Sequence, residues 1–298
     1  MTILWQDMTR DEIAAARDRG AVVAVPVGAI EQHASHLPVD TDARNVTAVT
    51  RRAAGLARSV PVLVTPTLSF GFSPHHLSHA GTISLRLTTY LAVLGDIAAS
   101  LADTGFTRIV VVNGHGGNSA PLRSKIAELV TDGLPVTGVD YWAPAEAEWT
   151  AMLSGATRHF GHACEFETAL MLAIGADEPD FVERVTARSR ELPARKLQPW
   201  VVPGETRDPI TQAKAAWPPI FQGDDVGYFG DPAAATLEAG HKMLDVLARR
   251  LATFFEDFAA MPIRFGRSTL GQPPRVSSPI AGATPKPGGS DSTSGGRG

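Results

Sequence analysis

Two apolar runs in this 298-residue chain each break off directly into a dense polar segment, and that pairing restricts the folds open to it. Ala21–Val27 reads as a buried strand and passes into Gly28–Asp42, which carries Glu31, His33, His36, Asp40 and Asp42 within twelve residues. Arg108–Val112 reads as a second buried strand and ends in Asn113-Gly114-His115-Gly116-Gly117-Asn118. Continuous Val/Ile runs without polar alternation suit strands covered on both faces. Carboxylates and imidazoles grouped where such a strand ends are costly to desolvate unless something neutralises them. A divalent cation does so most directly.

The remaining pattern supports alternation of strand and helix. Thr9-Arg10-Asp11-Glu12 has the capping-box form and opens a helix through about Arg19, ended by Gly20. A helix through about Ala57 follows the acidic/His loop, then a strand over Val60–Pro66 and a short one over Thr82–Leu85. Leu91, Leu94, Ile97, Ala98 and Leu101 give Thr88–Asp103 helical spacing. A helix through Val130, a strand over Val136–Tyr141, a helix over Glu165–Ile174 and a long helix from Thr236 to Phe258 complete the ordered pattern. Residues 187–230 are rich in Pro and Gly and read as loops, with room for a hairpin. The expectation is an α/β fold with a mostly parallel sheet covered on both faces. Ligands of such sheets bind at the carboxyl ends of the strands, where both polar segments fall. One domain is expected over residues 1–265. Residues 266–298 form a Gly/Ser/Pro-rich tail that cannot bury enough surface to offset its ordering entropy, so disorder is expected there.

Composition narrows the class. Apolar residues make up 44% of the chain, enough for a core, and a net charge of −4 without a basic stripe argues against a nucleic-acid partner. Cys164 is the only cysteine, which excludes internal disulfides. No run approaches the roughly 18 apolar residues of a membrane span. Met1–Asp7 lacks the basic region and apolar core of a secretory signal, so a cytoplasmic location is expected.

Eight of the nine histidines lie between His33 and His162, and metal centres gather histidines where surfaces scatter them. Four segments contribute: Glu31–Asp42; His75, His76 and His79; His115; and His159 and His162 beside Glu165 and Glu167. In extended chain Glu31 and His33 project to the same side. Asp42 falls at a helix start, where the dipole favours a carboxylate. His162 and Glu165 have the i,i+3 spacing of paired helical ligands. Against these stand simpler readings: a solvated loop for Glu31 or His33 alone, a helix cap for His115, and a polar loop without metal for His75, His76 and His79. Cys164 reads as a small buried residue, and His241 as a surface or core position on an amphipathic helix. Gly114, Gly116 and Gly117 match neither a phosphate-binding loop nor a dinucleotide fingerprint.

Gly28–Asp42 with its Glu-Gln-His core, Ser73 in Phe70-Gly71-Phe72-Ser73, Ala80-Gly81-Thr82, Asn113–Asn118, His162–Thr168, and Gly230-Asp231-Pro232 through Gly240 together resemble the creatininase family, in that family's order, over roughly residues 5–255. The resemblance implies a three-layer α/β/α hydrolase, usually hexameric, with two divalent ions (Zn, Mn or Fe). It places one ion on Glu31, Asp42 and His115, and the other on His33, Asp42 and a further glutamate. Creatininase itself carries a Tyr-Glu pair where this chain has Gly116-Gly117, so the missing glutamate is assigned to Glu165. Cys164 stands where a glycine is usual, and His75-His76 where a Glu-His pair is common. Relatives sharing the Gly-Gly form include a pyrimidine-nucleotide deformylase and a peptidase that trims a peptide-derived cofactor.

On that resemblance a metal-bridging hydroxide attacks an amide or cyclic-amide carbonyl of a small molecule, at a C–N bond other than an ordinary peptide bond. Ser73, Gly116 and Gly117 face the substrate, His162 delivers a proton to the leaving nitrogen, and Glu165 serves both metal and catalysis. His36, Asp40 and Glu167 orient the ligands. Trp142 and Trp149 provide either a stacking wall or core packing. A peptidase acting on a cofactor precursor and a non-catalytic metal-binding scaffold are the alternatives.

Overall fold

Val22–Val27 (β1) is buried at every position and forms the centre of the fold. A computed structural model describes residues 3–158, 160–195 and 225–263. The expected tail, the middle of the loop-or-hairpin segment (196–224) and His159 lie outside the described residues. Val62–Val64 (β2) and Ile109–Asn113 (β3) pair with β1 on its two sides, and Val136–Asp140 (β4) pairs with β3, all in parallel. The spatial order β2-β1-β3-β4 means that the chain leaves β1 to one side and later returns to the other. Sheets of this kind place their ligands where those directions diverge, at the carboxyl ends of β1 and β3.

Alternate strand residues enter two separate cores. Val22, Ala24, Val110 and Val112 pack with Val46, Phe166 and Leu247. These come from the helices Thr41–Leu56 (α2), Glu165–Ile174 (α6) and Leu237–Ala260 (α8). Val23, Val25, Ile109 and Val111 pack instead with Ala16, Leu94 and Leu122. Those belong to Arg10–Asp18 (α1), Leu87–Asp103 (α3) and Gly116–Thr131 (α4). Helices therefore cover both faces, as the period-2 projection of strand side chains demands, and the expected α/β/α layering is present. The capping box at Thr9 and Glu12 forms, and Gly20 takes a left-handed φ of 75°.

Three local expectations change. Thr82–Leu85 forms no strand; it contributes one antiparallel bridge, Ile30 to Ile83, and the Ser84 hydroxyl accepts instead from the Ser73 N–H. A short helix, Glu146–Thr150 (α5), follows β4. Residues 187–190, read as loop, finish the helix Pro179–Arg190 (α7), which buries Phe181, Val185 and Ser189 at i, i+4 and i+8 behind a charged outer face. No helix among the described residues is long and apolar enough to cross a membrane.

Candidate metal centre

The loops after β1 and β3 are tied together before any polar side chain is considered. The Gly114 N–H donates to the Val27 carbonyl at 2.8 Å. A Cβ on Gly114 would lie 2.6 Å from Val46 Cβ and 2.9 Å from the Asp42 carbonyl oxygen, so this loop packs directly on the first turn of α2. That contact delivers His115 to Asp42. The Glu31 N–H donates to the Val39 carbonyl at 2.9 Å, which folds the acidic/His loop back on itself and turns Glu31 and His33 inward.

The resulting cluster is almost completely buried: Glu31, His33, Asp42, His76 and His115 are each 3% exposed or less. Asp42 meets a different histidine with each oxygen, His33 Nε2 at 3.3 Å from Oδ1 and His115 Nδ1 at 2.9 Å from Oδ2. Glu31 meets His115 Nε2 at 3.3 Å through Oε2, and His162 Nδ1 at 3.3 Å and His76 Nε2 at 3.5 Å through Oε1. Glu167 Oε2 lies 3.9 Å from His33 Nε2 and accepts from the Ala163 N–H. Among the described residues, ligand-type atoms fall within 4.8 Å of one another in four overlapping sets: Glu31/His33/Asp42, His33/His162/Glu167, Glu31/His75/His115 and Glu31/His76/His162.

The electrostatics are those of a site drawing positive charge. Burial opposes charging His33, yet Asp42, Glu167 and Glu31 carry its pKa up to about 9. Burial also opposes charge on His115, which Glu31 and Asp42 nevertheless hold well above the usual imidazole value. Burial pushes Glu167 up to about 8, with Asp42 and Glu31 adding to the shift against His33. His162 is driven well below its ordinary value by burial and by His33.

Both oxygens of Glu31, Asp42 Oδ2 and His33 Nε2 are buried without a hydrogen-bond partner among the described residues. Leaving such groups unsatisfied costs roughly 1–3 kcal/mol each, and more when they are charged. His33 Nδ1 lies 3.1 Å from the Glu31 carbonyl, which can only accept, so Nδ1 keeps its proton and Nε2, facing Asp42, carries either a second proton or a lone pair free for a cation. Lone pairs aimed at carboxylate oxygens repel unless a cation lies between them. The donor set therefore fits divalent metal.

Several expected residues are placed otherwise. Glu165 does not join the cluster: Oε1 accepts from the Ser154 N–H and hydroxyl at 2.8 and 2.9 Å, and Oε2 from the Gly155 N–H at 2.9 Å. His162 and Glu165 do not share a helix face, because α6 begins only at Glu165, with Ala163 in the left-handed region (φ 51°) and Cys164 extended. Glu167 occupies the position expected of Glu165. His162 Nε2 lies 2.6 Å from the Gln32 carbonyl oxygen, which engages the proton expected to reach a leaving group. Asp40 faces outward and pairs with Arg44 at 2.9 Å, so it orients no ligand. His36 Nε2 bonds the Thr168 hydroxyl at 2.9 Å, and burial together with His33 pushes its pKa down to about 3.

Ser73 is fully buried, with its hydroxyl 3.0 Å from His115 Nε2, so it supports a cluster histidine rather than lining open space. Gly116 and Gly117 open α4, whose N-cap residue His115 makes no side-chain cap bond. Trp149 is 1% exposed and packs on Phe166 at 4.4 Å, a core residue and no substrate wall. Burial pushes the Cys164 thiol up to about 12, which leaves it inert at neutral pH. His241 is exposed. Sequence reasoning underweighted His75 and His76, and it passed over Gln32. The signal for His76 was its place in a second histidine-dense segment. For Gln32 there was only its position between two ligand-type residues.

A family model described as Creatininase: Creatinine amidohydrolase matches residues 6–255. The mycofactocin precursor peptide peptidase of Mycobacterium ulcerans (strain Agy99) is 34% identical over 244 residues, spanning 77% of this chain and 84% of that one. The creatinine amidohydrolase of Pseudomonas putida is 31% identical over 210 residues, spanning 65% and 79%. A solved structure described as creatininase Mn matches with a TM-score of 0.67 at 25% identity, covering 88% of this chain and 100% of that one. A mutant creatininase of Zn-Zn type gives 0.66 at 25% identity with the same coverage, 88% and 100%. With its layered fold and buried carboxylate–imidazole cluster, the chain belongs to the creatininase (creatinine amidohydrolase) family of hydrolases.

Proposed function

We propose that the protein is a divalent-metal-dependent amide hydrolase holding two ions, and that its substrate is a peptide or peptide-derived amide rather than creatinine. The observation that carries the metal dependence is Asp42, each of whose oxygens faces a different histidine, the disposition of a carboxylate shared between two ions. Glu31, His33, His115, His162 and Glu167 are the other holders. Imidazole and carboxylate without thiolate suit Zn, Mn or Fe. The Zn-Zn and Mn descriptions of the related structures favour the first two. Divalent ions there supply Lewis acidity toward an amide carbonyl and make water a competent nucleophile near neutral pH.

The chain's own groups do the rest. The N–H groups of Gly116 and Gly117 belong to the first turn of α4 and have no acceptor within that helix, so they can receive the oxygen on which charge develops. A Cβ on the exposed Gly116 would meet nothing among the described residues within 4 Å, so the start of α4 is open to an extended chain. The peptidase description of the Mycobacterium ulcerans relative supports the same choice. A homohexamer and a cytoplasmic location complete the reading, the first checked by light scattering.

The deciding experiment loads the full chain with Mn or Zn and offers it a peptide library and creatinine, with mass-spectrometric detection. Chelator-sensitive cleavage of peptide amides with creatinine untouched is expected. Faster turnover of creatinine would overturn the substrate assignment. Full metal loading without turnover of either would favour a metal-binding scaffold.

A further inference from the structure

Gln32 lies between Glu31 and His33 in the chain, yet its own polar groups reach two other histidines. Its carbonyl oxygen is 2.6 Å from His162 Nε2. A carbonyl only accepts, so the proton of neutral His162 is on Nε2 and its Nδ1 lone pair faces Glu31 Oε1 at 3.3 Å. The Gln32 side chain is oriented independently. Oε1 accepts from the Ala34 N–H at 2.9 Å, and Nε2 donates to the Gly227 carbonyl at 2.9 Å. One partner can only donate and the other only accept, so the amide cannot be turned over without losing both bonds.

The same Nε2 lies 3.0 Å from His76 Nδ1, which must therefore be an acceptor. A neutral imidazole accepting at Nδ1 carries its proton on Nε2. That N–H faces Glu31 Oε1 at 3.5 Å, the same oxygen that meets the lone pair of His162. The two rings lie 4.2 Å apart. One glutamine thus gives neighbouring histidines opposite faces toward one carboxylate.

We propose that Gln32 is a positioning residue that sets these opposite tautomers, and that His76 is thereby a hydrogen-bond donor to the carbonyl oxygen of the bound amide and not a metal ligand. His162, turned the other way, keeps its lone pair for the cation. The donor role rests on the amide-hydrolase reading; the tautomer assignment does not. No proton is transferred from His76 in this role, since the N–H shares its hydrogen with the oxygen as charge grows there.

The test combines spectroscopy, metal content and kinetics on the full chain. Two-bond proton–nitrogen correlation of 15N-histidine-labelled, metal-free protein should show His76 as the Nε2–H tautomer, assigned by its loss in His76→Gln. Gln32→Glu, which cannot donate, should shift His76 to the Nδ1–H form. His76→Ala should keep its full metal content while turnover falls about 10²–10³-fold with little change in KM. His76→Gln, which retains an N–H, should recover part of that loss, and His33→Ala should lose metal. An Nδ1–H tautomer in the wild type, or metal loss in His76→Ala equal to that in His33→Ala, would overturn the assignment. Unchanged turnover in His76→Ala would overturn the donor role. Should the wild type cleave no amide, the functional reading fails while the tautomer and metal results still decide the role of Gln32.

Discussion

Glu165 and Glu167 stand two residues apart at the start of α6 and serve different structures: Glu165 accepts three hydrogen bonds from Ser154 and Gly155, whereas Glu167 lies among His33 and His162. Two helical steps of about 100° each turn them to nearly opposite sides. Glu167→Gln removes the charge and keeps the shape. It is expected to lose one ion per chain, measured by elemental analysis, and most of the activity. Glu165→Gln should keep both ions and instead lower stability by about 1–3 kcal/mol, read from thermal unfolding, because its second heavy atom can no longer accept. The reverse pattern would restore Glu165 as the ligand.

Asp42 turns its two oxygens to His33 and His115, the histidines that the family resemblance assigns to different ions. Asp42→Ala should therefore remove both ions together, where loss of a terminal ligand removes one. Chelation of the wild type should lower its melting temperature, because metal binding to the folded state alone stabilises it, by about 2.7 kcal/mol at a hundredfold excess over Kd. Normal occupancy in Asp42→Ala would rule out the shared position.

The parts of this site that local chemistry fixes were legible in the chain. Val22–Val27 and Ile109–Asn113 announce themselves by apolar content, and α6 begins at the residue its composition implies. Glu31, His33 and His115 follow because each lies soon after a strand ends, and Asp42 because it falls in the first turn of α2. What failed was extrapolation across a helix start. His162 precedes α6, and the left-handed Ala163 breaks the periodicity on which the pairing of His162 with Glu165 depended. His76 was ambiguous for a different reason: its role depends on Gln32 and on Gly227, far away in sequence, and no local pattern encodes a contact over that separation. The helix α7 was missed because Pro and Gly nearby outweighed the spacing of Phe181, Val185 and Ser189.

Gly117 and Gly116 should respond oppositely to the same substitution. A Cβ on Gly117 would lie 2.3 Å from His115 Nε2 and 2.6 Å from the Phe72 carbonyl oxygen, so Gly117→Ala must displace a cluster histidine or the backbone. Lost metal affinity is expected, with destabilisation of about 1–3 kcal/mol. Gly116→Ala meets nothing among the described residues within 4 Å and should fold and bind metal as the wild type does. Its effect should fall on KM for peptide substrates, since the methyl group enters the space assigned to them. Titration calorimetry with Mn and steady-state kinetics separate the two. Equal metal loss in both variants would contradict the packing argument.

Asp225 braces the segment that reaches Gln32, and its charge should show in the acid limb of stability. Its carboxylate receives Arg195 Nη1 at 2.9 Å, Arg195 Nη2 at 3.1 Å and the Gly227 N–H at 2.8 Å, while its backbone carbonyl faces His79 Nε2 at 2.8 Å. The Arg195 hydrogen bonds hold its pKa below the usual carboxylate value, against the opposing effect of burial. A folded-state pKa below the unfolded one contributes stability that is complete above the unfolded value, about 3.9, and is lost as pH falls through the folded one. Asp225→Asn should thus melt below the wild type at neutral pH, and the gap should close as the pH drops below about 4. Melting temperatures of the two proteins taken across that range decide it: a gap independent of pH would mean that Asp225 acts through shape alone.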